Sequence, residues 1–564
     1  MATLSFKGKS FVQNYHLAVK YHELIPVKGK SLTDKISLKD NLIIHGDNLK
    51  ALKALLPTYA GRVNCIYIDP PYNTGNEGWK YNDNVNSPMM QEWLGQEVKI
   101  DDLTRHDKWL CMMMPRLKLL RDLLSENGAI FVSIDDNEQY RLRFLMDDIF
   151  GEHNFISNIL IKANPRGRQS DKNIATLHDY CICYAKNNDY IELSGLPLSP
   201  EDVDEFDQED ADGKRWREIG LRQRGAASLR KDRPDMYFPI YIDPEDGSIS
   251  LKPDSSHKIE ALPKKSDGRD SRWMWSPGKV AKEMDRVYGR KLVTKEQYDV
   301  FIKDYLDRNG EQRTAKPRSM WLDAEVNTEL GGKLLKLIMG RETLEYPKPV
   351  GLIKRVLQLA SDKDSIILDS FAGSGTTAQA VLELNKEDSG NRKFVLVECE
   401  DYADEITAER VRRVINGVSG AKDDTLRNGL GGSFSFFELG EPIEMESILE
   451  GSRLPSYLNL ARYVFYTATG EQFLPEEVEE DKHFIGESKE YEVYLFYKPD
   501  LDYLRATALT LDIAKGLGEY TGKKKLVFAP TKYLDLNDSD LLAKHGLKGI
   551  EYCQLPFEIY KLRE

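Results

Sequence analysis

The chain has 564 residues, a net charge of −13, 41% apolar and 30% charged side chains, a length that calls for several domains or one large domain with insertions. No run of about 18 apolar residues occurs, and residues 1–10 carry Lys7 and Lys9 but no apolar stretch, so a secreted, membrane-spanning or disordered chain is not expected and a cytoplasmic globular protein is. Taken alone, the acidic total argues against a polyanionic partner.

In chain order, residues 41–45 form a short apolar run ending at Gly46-Asp47-Asn48, and Leu49, Leu52, Leu55 and Leu56 follow at helical spacing. Residues 64–68 are a second predicted strand, stopped by Pro70-Pro71, which can neither continue a ladder nor enter a helix interior. A helix is predicted over 109–125, a buried strand over 129–134 and a helix over 142–150. This alternation marks a parallel sheet covered by helices, an α/β fold.

After about residue 155 the rhythm stops. It returns with a helix over 349–360, a strand over 365–368, a Gly-rich turn, a helix over 376–384, a strand over 394–397 and a helix over 408–415. The pattern predicts one α/β domain split in sequence, with parts at 1–155 and 346–430, an insert at 156–345, and a separate C-terminal domain at 431–564 beyond Gly429-Leu430-Gly431-Gly432. Strands are predicted in that last part at 491–497 and 526–529. Six scattered cysteines do not make a disulfide framework, and the pair Cys181 and Cys183 suits one face of a buried strand better than a zinc site.

Two motifs carry chemistry. Asp69-Pro70-Pro71-Tyr72 stands at the carboxyl end of a strand, where open α/β sheets place their ligands. Pro70 offers a carbonyl and no N–H, an ionised Asp69 offers carboxylate acceptors, Pro71 stiffens the turn, and Tyr72 presents an aromatic face. That set suits an NH₂ group on a flat ring. An exocyclic base amine is a poor nucleophile because its lone pair is delocalised; two acceptors would localise it and stabilise the charge that develops as it attacks. Such a geometry requires the base to be flipped out of a duplex. The bare tetrapeptide also suits a plain strand-ending turn.

The second motif, Asp369-Ser370-Phe371-Ala372-Gly373-Ser374-Gly375-Thr376-Thr377, follows a buried strand and opens a helix. Its glycines permit close approach of a nucleoside cofactor, and Glu398, ending the next strand, stands where an acid would bind ribose hydroxyls. No Gly-Lys-Ser/Thr ending supports a P-loop. Ala378 occupies the third glycine position of the dinucleotide fingerprint, which leaves NAD as an alternative.

The insert contains an internal charge contrast. Residues 201–212 hold eight acids and no base, whereas residues 214–233 hold eight bases and two acids, with Arg dominant. Arg222, Arg224, Arg230, Lys231 and Arg233, together with Arg166 and Arg168 of a second basic loop, are the expected DNA contacts, since arginine suits guanine edges and phosphate. A solvated face is the plain alternative for any charge run.

With both motifs on the page, the chain resembles the β-class DNA amino-methyltransferases, and within them the methylation (Mod) subunits of type III restriction-modification systems. The resemblance is carried by Asp69-Pro70-Pro71-Tyr72-Asn73-Thr74-Gly75, by residues 131–138 (Phe-Val-Ser-Ile-Asp-Asp-Asn-Glu), by Tyr346-Pro347-Lys348-Pro349-Val350 and by residues 371–377; the stretches 221–243 and 549–560 look similar too. It implies a circularly permuted, Rossmann-like methyltransferase sheet with an inserted target-recognition domain and a small C-terminal α/β domain. It implies S-adenosylmethionine as cofactor, lined by Asp369, Phe371, Ala372, Gly373, Gly375 and Thr376, with Glu398 on the ribose, Asp47 at the adenine amine, and Lys348 and Pro349 near the methionine part. Asp at position 69 favours adenine N6 over cytosine N4. The implied activity is site-specific DNA adenine-N6 methylation by a modification subunit. Double-stranded DNA, a second copy of the chain and a restriction (Res) subunit are the implied partners, and no metal is required. An N4-cytosine or RNA amino-methyltransferase, or a non-catalytic DNA-binding subunit, are the alternatives.

Overall fold

The computed structural model describes residues 4–74, 104–168, 172–292, 297–308, 311–444, 448, 451 and 453–555. Gly75 of the first motif and positions 556–560 of the C-terminal stretch lie outside them. The chain divides into two compact units, residues 1–194 with 318–564, and residues 195–317.

The first unit is built on a ten-stranded sheet. Its strands are β1 (His22–Pro26), β2 (Leu42–His45), β3 (Val63–Ile68), β4 (Leu124–Ile134), β5 (Phe155–Ile161), β6 (Asp179–Ala185), β7 (Met320–Trp321), β8 (Ile366–Asp369), β9 (Lys393–Glu398) and β10 (Ser435–Pro442). They lie side by side as β1-β10-β2-β9-β8-β3-β4-β6-β5-β7. From β10 to β4 every neighbour is parallel, while β6 runs antiparallel to both β4 and β5, and β1 antiparallel to β10.

Its central parallel strands are buried on both faces, which is why they read as unbroken apolar runs. Leu42, Ile44, Ile66, Ile68, Ile130, Val132, Leu368, Val395 and Val397 join one core with helices α1 (Asn48–Tyr59), α2 (Arg105–Leu123) and α3 (Gln139–Phe150). The alternate residues Ile43, Cys65, Tyr67, Phe131, Ile367, Phe394 and Leu396 are equally buried. Cys181 and Cys183 are free, buried thiols on β6. Further helices are α4 (Thr328–Met339), α5 (Val350–Ala360), α6 (Thr376–Asp388) and α7 (Glu409–Asn416). Among them α5 packs on α6, and α7 on both α6 and α4.

The C-terminal part carries helix α8 (Tyr457–Thr469) and a sheet of Phe484–Glu487, Tyr491–Leu495, Lys524–Ala529 and Ile550–Gln554 in that order. It is tied to α1 of the ten-stranded sheet, with the Phe473 amide donating to the Pro57 carbonyl at 3.0 Å. No helix among the described residues is long and apolar enough to cross a membrane.

The second unit has its own core of Leu221, Ile240, Ile242, Ile249, Trp273, Val280, Val287, Val300 and Ile302. One antiparallel sheet joins Val287–Lys291, Tyr298–Tyr305, Arg215–Gly220 and Gln208–Glu209, and a smaller one joins Ile249–Ser250, Ile240–Ile242 and Ile259–Ala261.

Candidate active site

Strand pairing decides where the two motifs meet. β8 and β3 are parallel neighbours, with Ile367 opposite Cys65 and Leu368 opposite Ile66. Asp69 therefore leaves the sheet from the same edge as Asp369 and one strand away. From β8 the chain continues through α6 to β9 on one side, and from β3 through α2 to β4 on the other. This reversal of direction opens the crevice in which doubly wound sheets bind ligands.

The turn after β3 is braced from below. Trp109 Nε1 donates to the Pro71 carbonyl at 2.7 Å. Asn73, next to Tyr72, takes a left-handed φ of 59°, a conformation that Asn tolerates better than most residues. Its amide nitrogen donates to the Arg105 carbonyl at 3.3 Å and to the fully buried Glu138 carboxyl, which His106 and Arg141 also contact. Burial pushes Glu138 up to about 7, and burial with two nearby guanidiniums pushes His106 down to about 4. Asp135 and Glu138 both fall in the sequence stretch 131–138, but pattern alone gave them no task.

Above this base, Asp69 Oδ1 lies 3.1 Å from the Lys348 ammonium, in an ion pair not aligned as a hydrogen bond. Lys348 Nζ donates to the Tyr72 hydroxyl at 2.7 Å and stands 4.7 Å from the ring centroid. Burial, then the Asp69 carboxylate, hold the Tyr72 phenol protonated. Asp179, at the start of β6, belongs to the same electrostatic cluster: burial raises it, while Lys348 and Arg168 oppose that shift. Arg168 pairs with Asp179 at 3.2 Å and with Asp135 at 3.5 Å. The structure thus places Arg168 against these carboxylates, while Arg166, on the same loop, is exposed.

The turn after β8 is organised by Asp369, whose Oδ1 accepts from the Phe371 amide at 3.0 Å and Oδ2 from the Thr377 hydroxyl at 2.6 Å. Burial pushes Asp369 up to about 7, and it holds the turn from inside. Ala372 N donates to the Val397 carbonyl at 3.1 Å. Gly373 and Gly375 have φ of 51° and 79°, where a side chain is strained. Glu398 accepts from the Gly373 amide at 2.6 Å and the Glu400 amide at 3.0 Å. Asp47, one strand further on beyond β2, caps α1 by accepting from Lys50 N at 3.0 Å and lies 3.7 Å from Arg116. Pro349 is the N-cap of α5. Arg410, fully buried, binds the Ser374 and Thr376 hydroxyls at 2.7 Å each, an anchor that the sequence pattern did not single out.

In the second unit, residues 214–233 carry the basic cluster. Arg222 donates to the Lys264 carbonyl, and Arg230 pairs with Asp270 at 3.2 Å with its guanidinium 4.2 Å from the Tyr237 ring centroid. Arg224, Lys231 and Arg233 are exposed.

A Gly-x-Gly turn and an acidic strand end beside an acceptor set for a ring amine make an arrangement suited to a nucleoside cofactor next to a base. The family model described as DNA methylase (N6_N4_Mtase) matches residues 63–409, spanning both motifs, and the chain belongs to that family. It is 32% identical to the type III restriction-modification enzyme EcoPI Mod subunit of Escherichia phage P1, over 76% of this chain and 70% of that one. It is 36% identical to the type II methyltransferase M.KpnI of Klebsiella pneumoniae, over 65% of this chain and 82% of that one. With the type III StyLTI Mod subunit of Salmonella typhimurium it shares 31% identity, over 73% and 62% of the respective chains.

The family's cofactor is S-adenosylmethionine, and the residues present fit it. Among the described residues, a Cβ built on Gly373 meets nothing within 4 Å and the buried Ser370 hydroxyl has no hydrogen-bond partner, so the turn leaves room for a ligand. Glu398 brings a carboxylate to the same place.

Proposed function

We propose that this chain methylates adenine at N6 in double-stranded DNA at a specific sequence, as the modification component of a restriction-modification system. The observation that carries this reading is that Asp69 and the Gly373–Gly375 turn leave adjacent parallel strands at the switch point of the sheet. When bound, S-adenosylmethionine supplies an electrophilic methyl group. Phe371, Gly373 and Gly375 would line it, Glu398 would take its ribose hydroxyls, and Asp47 stands one strand beyond for its adenine. Asp69 and the Pro70 carbonyl accept the N–H groups of the flipped base and draw its nitrogen lone pair out of conjugation. Tyr72 stacks on the base.

The test is to methylate DNA with isotopically labelled cofactor, digest it to nucleosides and identify the labelled one. N6-methyladenine is expected, and N4-methylcytosine or labelled RNA alone would overturn the reading. The likeness to type III Mod subunits supports a nuclease-translocase subunit and a second copy of this chain as further partners, which sedimentation of the purified chain with and without DNA checks.

Glu398 gives the cofactor step a pH dependence. Burial raises its carboxyl to about 6, and only the ionised form accepts two ribose hydroxyls. Cofactor affinity is therefore expected to be highest above about pH 7, where Asp369 of the same turn is ionised as well, and to fall roughly tenfold per pH unit below about pH 6 as Glu398 is protonated. Calorimetric titration from pH 5 to 8 checks this, and Glu398→Gln should lower the affinity and remove the steep fall below about pH 6.

For DNA, the local cationic field outweighs the net charge of −13. Replacing the exposed Arg224, Lys231 and Arg233 by Ala is expected to weaken binding on all sequences and lower the salt slope by about one for each phosphate no longer neutralised. Fluorescence anisotropy across a salt series reads both. Arg222 and Arg230, already engaged within the fold, should matter less.

A further inference from the structure

We infer that Lys348 is a positioning residue for methyl transfer, setting Asp69 and Tyr72 through its ammonium and fastening them to the cofactor turn through its backbone, and is not a ligand of the cofactor's methionine part. This rests on the methyltransferase reading above and assigns the lysine to its catalytic side.

The backbone of Lys348 has little freedom. It lies between Pro347 and Pro349, and a residue before proline is confined to extended conformations. Its carbonyl accepts from the Thr376 hydroxyl, the first residue of α6 after the glycine turn, at 3.3 Å. Gly331 of α4 packs against it so closely that a Cβ there would lie 2.1 Å from the Pro347 carbonyl oxygen and 2.9 Å from that of Lys348. A chain held at three points carries a side chain that is 13% exposed, so the ammonium is delivered to one place.

That place is between the two side chains proposed to act on the base. The ammonium bonds the Tyr72 hydroxyl at the end of the ring, 4.7 Å from its centroid, and so fixes where the ring can lie for stacking. It neutralises Asp69 without aligning on the Oδ1 lone pairs. Oδ1 is itself buried beside the ammonium, so the carboxylate keeps a counter-charge there while the exposed remainder of the Asp69 side chain is the part an N–H donor can reach. Asp179 is a further carboxylate within electrostatic reach of the ammonium. One residue thus couples the spacing of the acceptor set to that of the cofactor turn, which is the quantity that in-line transfer depends on.

The experiment uses the full chain and compares Lys348→Ala, Lys348→Met and Lys348→Arg. Single-turnover transfer is expected to fall about 10- to 100-fold in the Ala and Met variants, the loss typical of a misplaced reacting group, with the cofactor Kd within about twofold of wild type. Added ethylammonium should restore part of the Ala variant's rate in a saturable way, which a merely structural lysine would not show. An unchanged rate, or a cofactor Kd weakened about tenfold or more at normal saturated rate, overturns the inference. A second measurement needs no turnover. Lys348→Met and Asp69→Asn should each lower the melting temperature, and together lower it by less than their sum. Additive shifts would overturn the contact itself. Loss of all DNA methylation in the wild type would instead strike the functional reading, leaving this cycle to decide on Lys348.

Discussion

Asp69→Ala is expected to reduce methyl transfer about 10³-fold or more while leaving cofactor affinity nearly unchanged, because it removes charge stabilisation aimed at the reacting nitrogen. The carboxylate is the negative group at the carboxyl end of β3, with Oδ1 buried beside Lys348 and the side chain partly exposed. Asp69→Asn keeps one acceptor oxygen but loses the charge and the ion pair with Lys348. Its rate should fall between those of wild type and the Ala variant. Tyr72→Ala should lose about 10- to 100-fold, the worth of one base–aromatic stack. Tyr72→Phe keeps the ring but drops the hydroxyl that Lys348 holds, and separates stacking from alignment. Rapid-quench transfer from labelled cofactor to DNA measures all four, with cofactor binding as the control. Full activity in both Ala variants would sink the proposed mechanism.

The sequence showed these motifs clearly because their physics is local. Residues 63–68 and 366–369 are buried on both faces and read as apolar runs, and each ends on residues that cannot continue a strand. Their adjacency is not local: it depends on Cys65 finding Ile367 across about 300 residues of chain. The same holds where the βα rhythm stops. Residues 155–161 and 179–185 form an antiparallel extension of the catalytic sheet, and residues 435–442, after the Gly-rich turn, insert between β1 and β2. Periodicity indicates a strand but not its partner.

Side-chain direction was the least legible feature of the site. Lys348 stands in a stretch whose resemblance points to the cofactor, yet its ammonium lies on Asp69 and Tyr72. Arg168 looked like one more base in a basic loop, yet Asp135 and Asp179 hold it. Asp369 opens the cofactor motif, yet both of its oxygens accept hydrogen bonds from inside the turn. In each case the residue type and place were visible in the chain, and the partner came from a strand or loop remote in sequence.

The two glycines of the cofactor turn should respond differently to the same substitution. At Gly373 an added Cβ meets no atom of the described residues within 4 Å, so Gly373→Val places its side chain in the space assigned to the cofactor. The folded protein bears only the strain of a left-handed backbone, about 1–2 kcal/mol. Cofactor binding is expected to fall about 100-fold or more, since overlap with a ligand cannot be relieved by a turn fixed through Glu398 and Asp369. At Gly375 the Cβ would lie 3.1 Å from the Thr407 carbonyl oxygen and 3.4 Å from its methyl group. Gly375→Val therefore presses the turn against the segment leading into α7 and adds backbone strain at φ 79°. It should lower the melting temperature by several degrees more than Gly373→Val. Calorimetric binding and thermal unfolding of the pair check the contrast. Equal melting temperatures with equal cofactor loss would mean that the open face of Gly373 is not where the cofactor lies.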